Sequence, residues 1–106
     1  MKIIFNEAFE SLKEQFTNKD VRKIENLAFE FRVNDPEGVF YAEVKNGKLS
    51  IEPYEYYDND VVFEGTYEVF CKIISGQINP AKAFLTGKIK VHGDLGKAAM
   101  LEKVLK

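Results

Sequence analysis

Few side chains in this sequence have the types and spacing that catalysis requires. Cys71 is the only cysteine and His92 the only histidine, so no cluster of soft metal ligands can form. A catalytic nucleophile needs a base within reach, and Lys72 next to Cys71 points elsewhere on a helix. We interpret Cys71 as a structural, half-buried thiol and expect His92, which alternates with Lys88 and Lys90 along a strand, to face solvent. The sequence predicts no catalytic residue.

Two other groups of residues suggest ligand sites but lack the required frame. Glu55, Asp58 and Asp60 cluster around several tyrosines, yet the spacing of a calcium loop is missing, so we expect a solvated turn. The glycines at 87, 93 and 96 are separated by a strand and fit no phosphate-binding fingerprint. We therefore predict neither a metal nor a cofactor.

Composition indicates one globular domain over residues 1–106. Hydrophobic residues make up 45% and charged residues 30%, and nine phenylalanines dominate the aromatic set. A net charge of −2 without a basic stripe argues against nucleic-acid binding. The lone cysteine fits a reducing compartment, and the apolar run at the N-terminus is too short for a signal peptide, so we expect a cytoplasmic protein.

The first two thirds of the chain read as a helix followed by strands. Apolar residues recur at helical spacing from Phe5 to Phe16, after which the period changes to two. Asn46-Gly47 is a strong hairpin signal between two of the strands. The predicted strands cover residues 27–33, 39–45, 48–52 and 61–64.

Capping residues divide the last third into short elements. Thr66 is a candidate N-cap for a helix that ends at Gly76, and Asn79-Pro80 begins another that ends at Gly87. A strand over 88–92 follows, and Asp94 caps a C-terminal helix. Because hairpins link the strands and each strand has one apolar face, we predict an α+β domain with a mostly antiparallel sheet covered by helices on that face.

The pattern of the last third resembles the sterol carrier protein type 2 domain. A helix ending in glycine, Asn-Pro, a helix of small residues and Phe, Gly-Lys-Ile-Lys-Val and Gly-Asp-Leu-Gly occur in the order typical of that family. The matching residues are Gly76, Asn79, Pro80, Ala83, Phe84, Gly87, Lys88, Ile89, Lys90, Val91, Gly93, Asp94, Gly96 and Ala99. We interpret the chain as a stand-alone, prokaryotic-type member, with the resemblance covering roughly residues 5–105.

The resemblance implies a five-stranded sheet in the order 3-2-1-4-5 and an apolar tunnel between sheet and helices. Such domains hold a fatty acid, fatty acyl-CoA or other lipid and pass it on without catalysis. The partners expected are therefore a lipid and, briefly, a membrane, and we leave open that Lys88, Lys90 and Lys97 meet an acidic lipid head group or CoA phosphates. Combined with the apolar stripes of the helices, this makes the following residues candidate walls of the tunnel: Phe29, Phe31, Phe70, Ile73, Ile74, Phe84, Met100, Leu101 and Val104.

The same stripes also fit an ordinary, filled core. In that case the domain would be a cavity-free module for protein interaction or homodimerisation, serving beside an enzyme that consumes lipid. An enzyme is a third reading, but no nucleophile, base and orienting group can be assembled from the sequence.

Overall fold

The computed structural model describes residues 5–17, 19 and 21–105 of the protein. Among these residues the sheet is formed by β1 (Leu27–Asn34), β2 (Gly38–Lys45), β3 (Lys48–Glu52), β4 (Val61–Thr66) and β5 (Ile89–Gly93). The helices are α1 (Phe5–Thr17), α2 (Tyr67–Ile74), α3 (Pro80–Leu85), α4 (Leu95–Ala98) and α5 (Met100–Leu105).

The five strands form one sheet in the order β3-β2-β1-β4-β5, as the family resemblance implied. The pairs β1–β2, β2–β3 and β4–β5 are antiparallel, whereas β1 and β4 run parallel. The prediction of a mostly antiparallel sheet is therefore confirmed. In this register Phe31 on β1 lies beside Phe40 on β2 and Phe63 on β4, so three rings form a row across the middle of the sheet.

The helices bury their apolar stripes against this row of rings. Phe16 of α1 lies 6.0 Å from the Phe31 ring centre, and Phe70 of α2 lies 5.5 Å from it. Leu101 and Val104 of α5 belong to the same buried cluster. One core thus lies between the sheet and the helices, and its phenylalanines contribute both burial and edge-to-face ring contacts.

Glycine at position 38 serves close packing and not the turn. Gly38 does not supply the positive φ of the turn between β1 and β2, since the residue with positive φ there is Asp35, at 53°. Gly38 instead lies in β2, where a Cβ atom would come within 2.2 Å of the Phe5 ring. Its missing side chain therefore lets the start of α1 sit directly on the strand.

The connection between β3 and β4, residues 53–60, crosses the outer face of the sheet. The Tyr56 amide donates to Glu30 Oε1 at 3.0 Å, and the Tyr56 hydroxyl donates to Glu43, which raises the pKa of Tyr56 to about 12. The Asp60 amide donates to the Ala28 carbonyl at 2.8 Å, and the Ala28 amide donates to Asp60 Oδ2 at 2.9 Å.

This crossover corrects the expectation that only one face of each strand is buried. Glu30 and Ala28 point away from the helices, yet Glu30 is only 3% exposed and Ala28 only 6%. The buried Glu30 carboxylate is satisfied by the Tyr56 amide and by Arg32 Nε at 3.0 Å. A chain segment distant in sequence thus covers a face whose residue pattern indicated solvent.

The C-terminal helix that the sequence predicted is split in two. The helix capped by Asp94 ends after Ala98, and α5 begins at Met100. None of the α4 residues is fully buried, whereas α5 buries Leu101 and Val104. The break at Ala99 thus separates a short helix without buried residues from one that contributes to the core.

We predict that Gly93→Ala lowers the free energy of unfolding by about 3 kcal/mol or more. Gly93 has a φ of 114°, and an added Cβ would lie 2.6 Å from the Asp60 carbonyl oxygen, which is backbone and cannot move aside. Denaturant unfolding followed by circular dichroism measures the change. Gly76→Ala is the matched control, because its φ is also positive but no atom lies within 4 Å, so about 1 kcal/mol is expected. Equal losses in the two variants would contradict the steric argument.

Candidate functional site

An apolar pocket of about 170 Å³ lies between the sheet and the three C-terminal helices. Its floor is β4 and β5, and its walls are α3 on one side and α4 with α5 on the other. Phe63 and Ile89 on the floor are almost fully buried, whereas Phe84 and Leu95 on the walls are 42% and 60% exposed. The lining residues are Phe63, Pro80, Ala81, Phe84, Ile89, Val91, Leu95, Ala98, Ala99 and Glu102.

Two capping residues fix the walls of this pocket. Asn79 Oδ1 accepts hydrogen bonds from the amides of Ala81 and Lys82, at 2.8 and 3.2 Å, which starts α3 with Pro80 in its first turn. Asp94 Oδ1 accepts from the Lys97 amide at 3.1 Å and starts α4. Both N-caps were predicted from the sequence, and each satisfies amides that the first helical turn leaves unpaired.

A second apolar groove of about 200 Å³ adjoins the pocket. It is lined by Ile73, Gly76, Ile78, Asn79, Pro80, Glu102 and Leu105, so the two hollows share Pro80 and Glu102. The Asn79 side-chain amide donates to Glu102 Oε1 at 2.9 Å, which ties the start of α3 to α5 at this junction. One polar contact therefore lies where the two apolar hollows meet.

The nine predicted wall residues fall into three groups. Phe84 lines the pocket and Ile73 lines the adjoining groove. Met100 is half-buried and packs against the core. The remaining six are no more than 1% exposed and line neither hollow: Phe29, Phe31, Phe70, Ile74, Leu101 and Val104. Their contact with a ligand stays a prediction.

Sequence reasoning missed most of the pocket walls. Ala81, Ala98 and Ala99 are small, and Leu95 is exposed, so none of them belongs to a strong apolar stripe. The available signal was the spacing of Ala81 and Phe84, which places them on one side of α3. Ile89 and Val91, which alternate with the lysines of the predicted strand over 88–92, form part of the floor.

The side chains that the sequence offered for catalysis or head-group binding, His92, Cys71 and Lys97, do not line the pocket. His92 Nε2 is 3.6 Å from Glu64 Oε1, and the His92 side chain is 60% exposed. The Tyr67 hydroxyl interacts with Ser11, which lowers its pKa, and with Cys71, which together with burial raises the pKa of Tyr67 above its usual value on balance. Lys97, a candidate for a lipid head group, instead pairs with Asp60 at 2.9 Å, and this bond raises the pKa of Lys97.

The described part of the chain offers neither a metal-binding cluster nor a membrane-spanning helix. Residues 5–17, 19 and 21–105 contain no group of three His, Cys, Asp or Glu side chains placed to hold a metal ion. No helix within these ranges is long and apolar enough to cross a membrane.

Comparison with known proteins places this geometry in a family. The model of the SCP-2 sterol transfer family matches residues 5–106. Human sterol carrier protein 2 is 31% identical over 106 residues, which cover 96% of this chain and 19% of the human protein. The chain spans between 19% and 24% of the length of curated vertebrate relatives that it matches.

Solved structures agree with the sequence comparison. The sterol carrier protein domain 2 of Helicoverpa armigera is 34% identical, with a TM-score of 0.62 over 93% of this chain and 77% of that one. The palmitated SCP2L2 protein of Aedes aegypti shares the fold, with 24% identity and a TM-score of 0.65 over 97% of this chain and 95% of that one. A capped α3, a split C-terminal helix and an apolar pocket above β4 and β5 thus occur in a chain that belongs to the SCP-2 sterol transfer family.

Proposed function

We propose that residues 1–106 form a lipid-binding domain that holds a fatty acid, fatty acyl-CoA or other long-chain lipid and passes it on unchanged. The observation that carries this proposal is the apolar pocket, which opens to solvent between Phe84 and Leu95 and reaches inward to Phe63. Each buried methylene contributes about 0.8 kcal/mol, so an alkyl chain can bind without a polar anchor once the cost of association is met.

The size of the pocket determines how such a chain would lie. An engineered apolar cavity of about 150 Å³ holds one benzene, so a pocket of about 170 Å³ holds only a segment of a long chain. The adjoining groove continues the apolar surface past Pro80 and Glu102. In our proposal the chain runs from the pocket into this groove, and the predicted walls Leu101 and Val104 reach it when α5 shifts away from the sheet.

The polar end of the ligand belongs at the mouth of the pocket. Glu102 is the charged residue of the lining, and its carboxylate would repel a carboxylate or phosphate placed beside it. Lys88 is exposed and lies just before β5, while Lys97 is occupied by Asp60. We therefore assign head-group contacts to solvent-facing lysines of the α3–β5 segment rather than to Lys97.

Native mass spectrometry of the protein purified from cells tests the proposal. We expect a mass above that of the bare chain, and extraction should release a lipid that accounts for the difference. Because the Aedes aegypti relative is palmitated, a fluorescent analogue of palmitate is the probe for direct binding. A bare mass together with no binding of this probe at micromolar concentration would overturn the proposal.

The absence of catalysis is part of the same proposal. His92 and Cys71 do not line the pocket, so no nucleophile stands beside the bound lipid. Palmitoyl-CoA incubated with the protein should be recovered intact. We also propose a cytoplasmic location, because the lone cysteine fits a reducing compartment.

A filled module for dimerisation or for work beside an enzyme is the second candidate. The observation that favours it is the closed core, in which six of the nine predicted wall residues are at most 1% exposed. Under that reading the probe would not bind, and light scattering would give the mass of a dimer or of a complex with an enzyme.

A further inference from the structure

The rim of the pocket exposes apolar side chains beside unpaired lysines. We propose that this rim, formed by Phe84, Leu85 and Leu95, docks on the surface of an anionic lipid bilayer, which places the mouth of the pocket against the membrane. The inference rests on the proposed function, because it assigns the surface through which the lipid enters and leaves.

The rim carries exposed apolar side chains on two different helices, α3 and α4. Leu85 is 82% exposed and Leu95 is 60% exposed, on opposite sides of the pocket. Leu85 lies four residues after Ala81 and so projects on the same side of α3 as this lining residue. Among the described residues only two other large hydrophobic side chains are exposed, Tyr54 and Tyr57, and both lie on the crossover at the opposite face. Exposed apolar groups are thus concentrated at the mouth and in the crossover, and exposure of this kind marks contact surfaces.

The charge on the α3 side of the rim is positive although the chain is acidic. From Ser75 to Gly93 the sequence contains three lysines and no Asp or Glu, whereas the whole chain has a net charge of −2. Lys82 and Lys88 stand three residues before and after Leu85 and form no ion pair with any other described residue. Lys72 and Lys97, by contrast, pair with Glu68 and Asp60. An apolar tip between two free cations complements anionic head groups above an acyl layer.

The nearest carboxylates do not cancel this charge complementarity. Glu102 accepts the hydrogen bond from Asn79 where the pocket meets the adjoining groove. Asp94 accepts the amide of Lys97 as the cap of α4. Both carboxylates accept hydrogen bonds from within the protein, although Asp94 is itself exposed beside Leu95, while Lys82, Leu85 and Lys88 are all exposed. The α3 side of the mouth therefore presents cations and an apolar tip to an approaching bilayer.

Docking in this orientation has a direct consequence for lipid exchange. A chain that leaves the pocket between Phe84 and Leu95 would otherwise expose its methylenes to water, at about 0.8 kcal/mol each in general. Contact between the rim and the bilayer gives the chain a continuous apolar path.

Sedimentation with vesicles tests the proposal with the full chain. The vesicles are phosphatidylcholine alone or phosphatidylcholine mixed with phosphatidylserine, and wild type should bind the mixed vesicles more strongly. Leu85→Ser should weaken that binding by about tenfold, because an inserted leucine side chain is lost. Lys82→Glu with Lys88→Glu should weaken it by more than tenfold on mixed vesicles and much less on phosphatidylcholine, since each lysine near an anionic surface contributes about fivefold.

Matched controls separate the rim from general surface effects. Tyr57→Ser removes an apolar side chain that is 91% exposed on the other face, and Lys45→Glu with Lys48→Glu makes the same charge change at the β2–β3 hairpin. Both controls should bind mixed vesicles within about threefold of wild type, a tolerance smaller than the effect of one lysine. Thermal unfolding should be unchanged in Leu85→Ser, because its side chain is exposed.

The palmitate probe distinguishes failure of docking from failure of the proposed function. Leu85 does not line the pocket, so Leu85→Ser should bind the probe like wild type while losing vesicle binding. Vesicle binding equal to wild type in both rim variants would overturn the docking. So would a wild-type dimer that Leu85→Ser dissociates, since a second copy would then cover the rim. Vesicle binding through Leu85 by a protein that takes up no probe would support the docking and overturn the proposed function.

Discussion

Replacing Phe31 by alanine should lower the free energy of unfolding by about 4 kcal/mol, the largest effect expected of a single change in this domain. Phe31 is fully buried in the central strand of the sheet, and its loss would leave a cavity that its neighbours cannot close. Its ring lies between 4.8 and 6.3 Å from the ring centres of Phe16, Phe29, Phe40, Phe63 and Phe70. Since a domain is stable by roughly 5–15 kcal/mol, the variant should be close to unfolding.

Urea unfolding measures this loss, with Tyr57→Ala as the control. Tyr57 is 91% exposed, so its truncation should change stability by less than about 0.5 kcal/mol. A loss below about 1 kcal/mol in Phe31→Ala would mean that the surrounding rings collapse into the space. Binding of the palmitate probe by the folded fraction also tests Phe31 as a predicted tunnel wall, because an altered affinity would place the ligand against this ring.

The parts of the fold that the sequence predicts well depend on local rules. Thr66 accepts the Val69 amide and starts α2, and Gly76 follows the end of that helix with a φ of 87°, as expected for a glycine there. The Asn46-Gly47 hairpin likewise joins β2 and β3, with both residues at positive φ. Each of these features involves residues close in sequence, so the residue types alone specify the geometry.

The outer face of the sheet could not be predicted in this way. The alternation of β1 indicates that Glu30 faces solvent, but the segment around Tyr56, some 26 residues away, covers it. A strand pattern carries no information about which later loop crosses it. The adjacency of β1 and β4, which makes this crossover necessary, became an expectation only through the family resemblance, and their parallel pairing was not predicted.

The pocket was harder still to predict, because a cavity is defined by what packing leaves empty. Periodicity identifies side chains that are buried, and it correctly indicated the burial of Phe31, Phe70 and Leu101. It cannot separate residues that touch one another from residues that border a space. The alanines at 81, 98 and 99 create the space by being small, and small residues contribute little to an apolar stripe.

Filling the pocket is the most direct functional test, and Ala99→Phe should weaken palmitate binding by about a hundredfold. Ala99 lines the pocket at the break between α4 and α5, and its own backbone is helical, so a larger side chain can be accommodated there. A phenyl ring would occupy most of a hollow of about 170 Å³ and displace some three to four methylenes of the ligand, which corresponds to about 3 kcal/mol.

Fluorescence titration of the palmitate probe measures this loss of affinity in Ala99→Phe. Lys103→Phe is the control. Lys103 is exposed on α5 and lines neither hollow, so the same ring added there should leave the affinity unchanged. Because Ala99 is itself exposed, the stability of the variant should stay within about 1 kcal/mol of wild type, and lost binding cannot then be attributed to unfolding. Unchanged affinity in Ala99→Phe would place the alkyl chain outside this pocket. The chain would then lie in the layer between α5 and the sheet, where Leu101 and Val104 are buried in this structure.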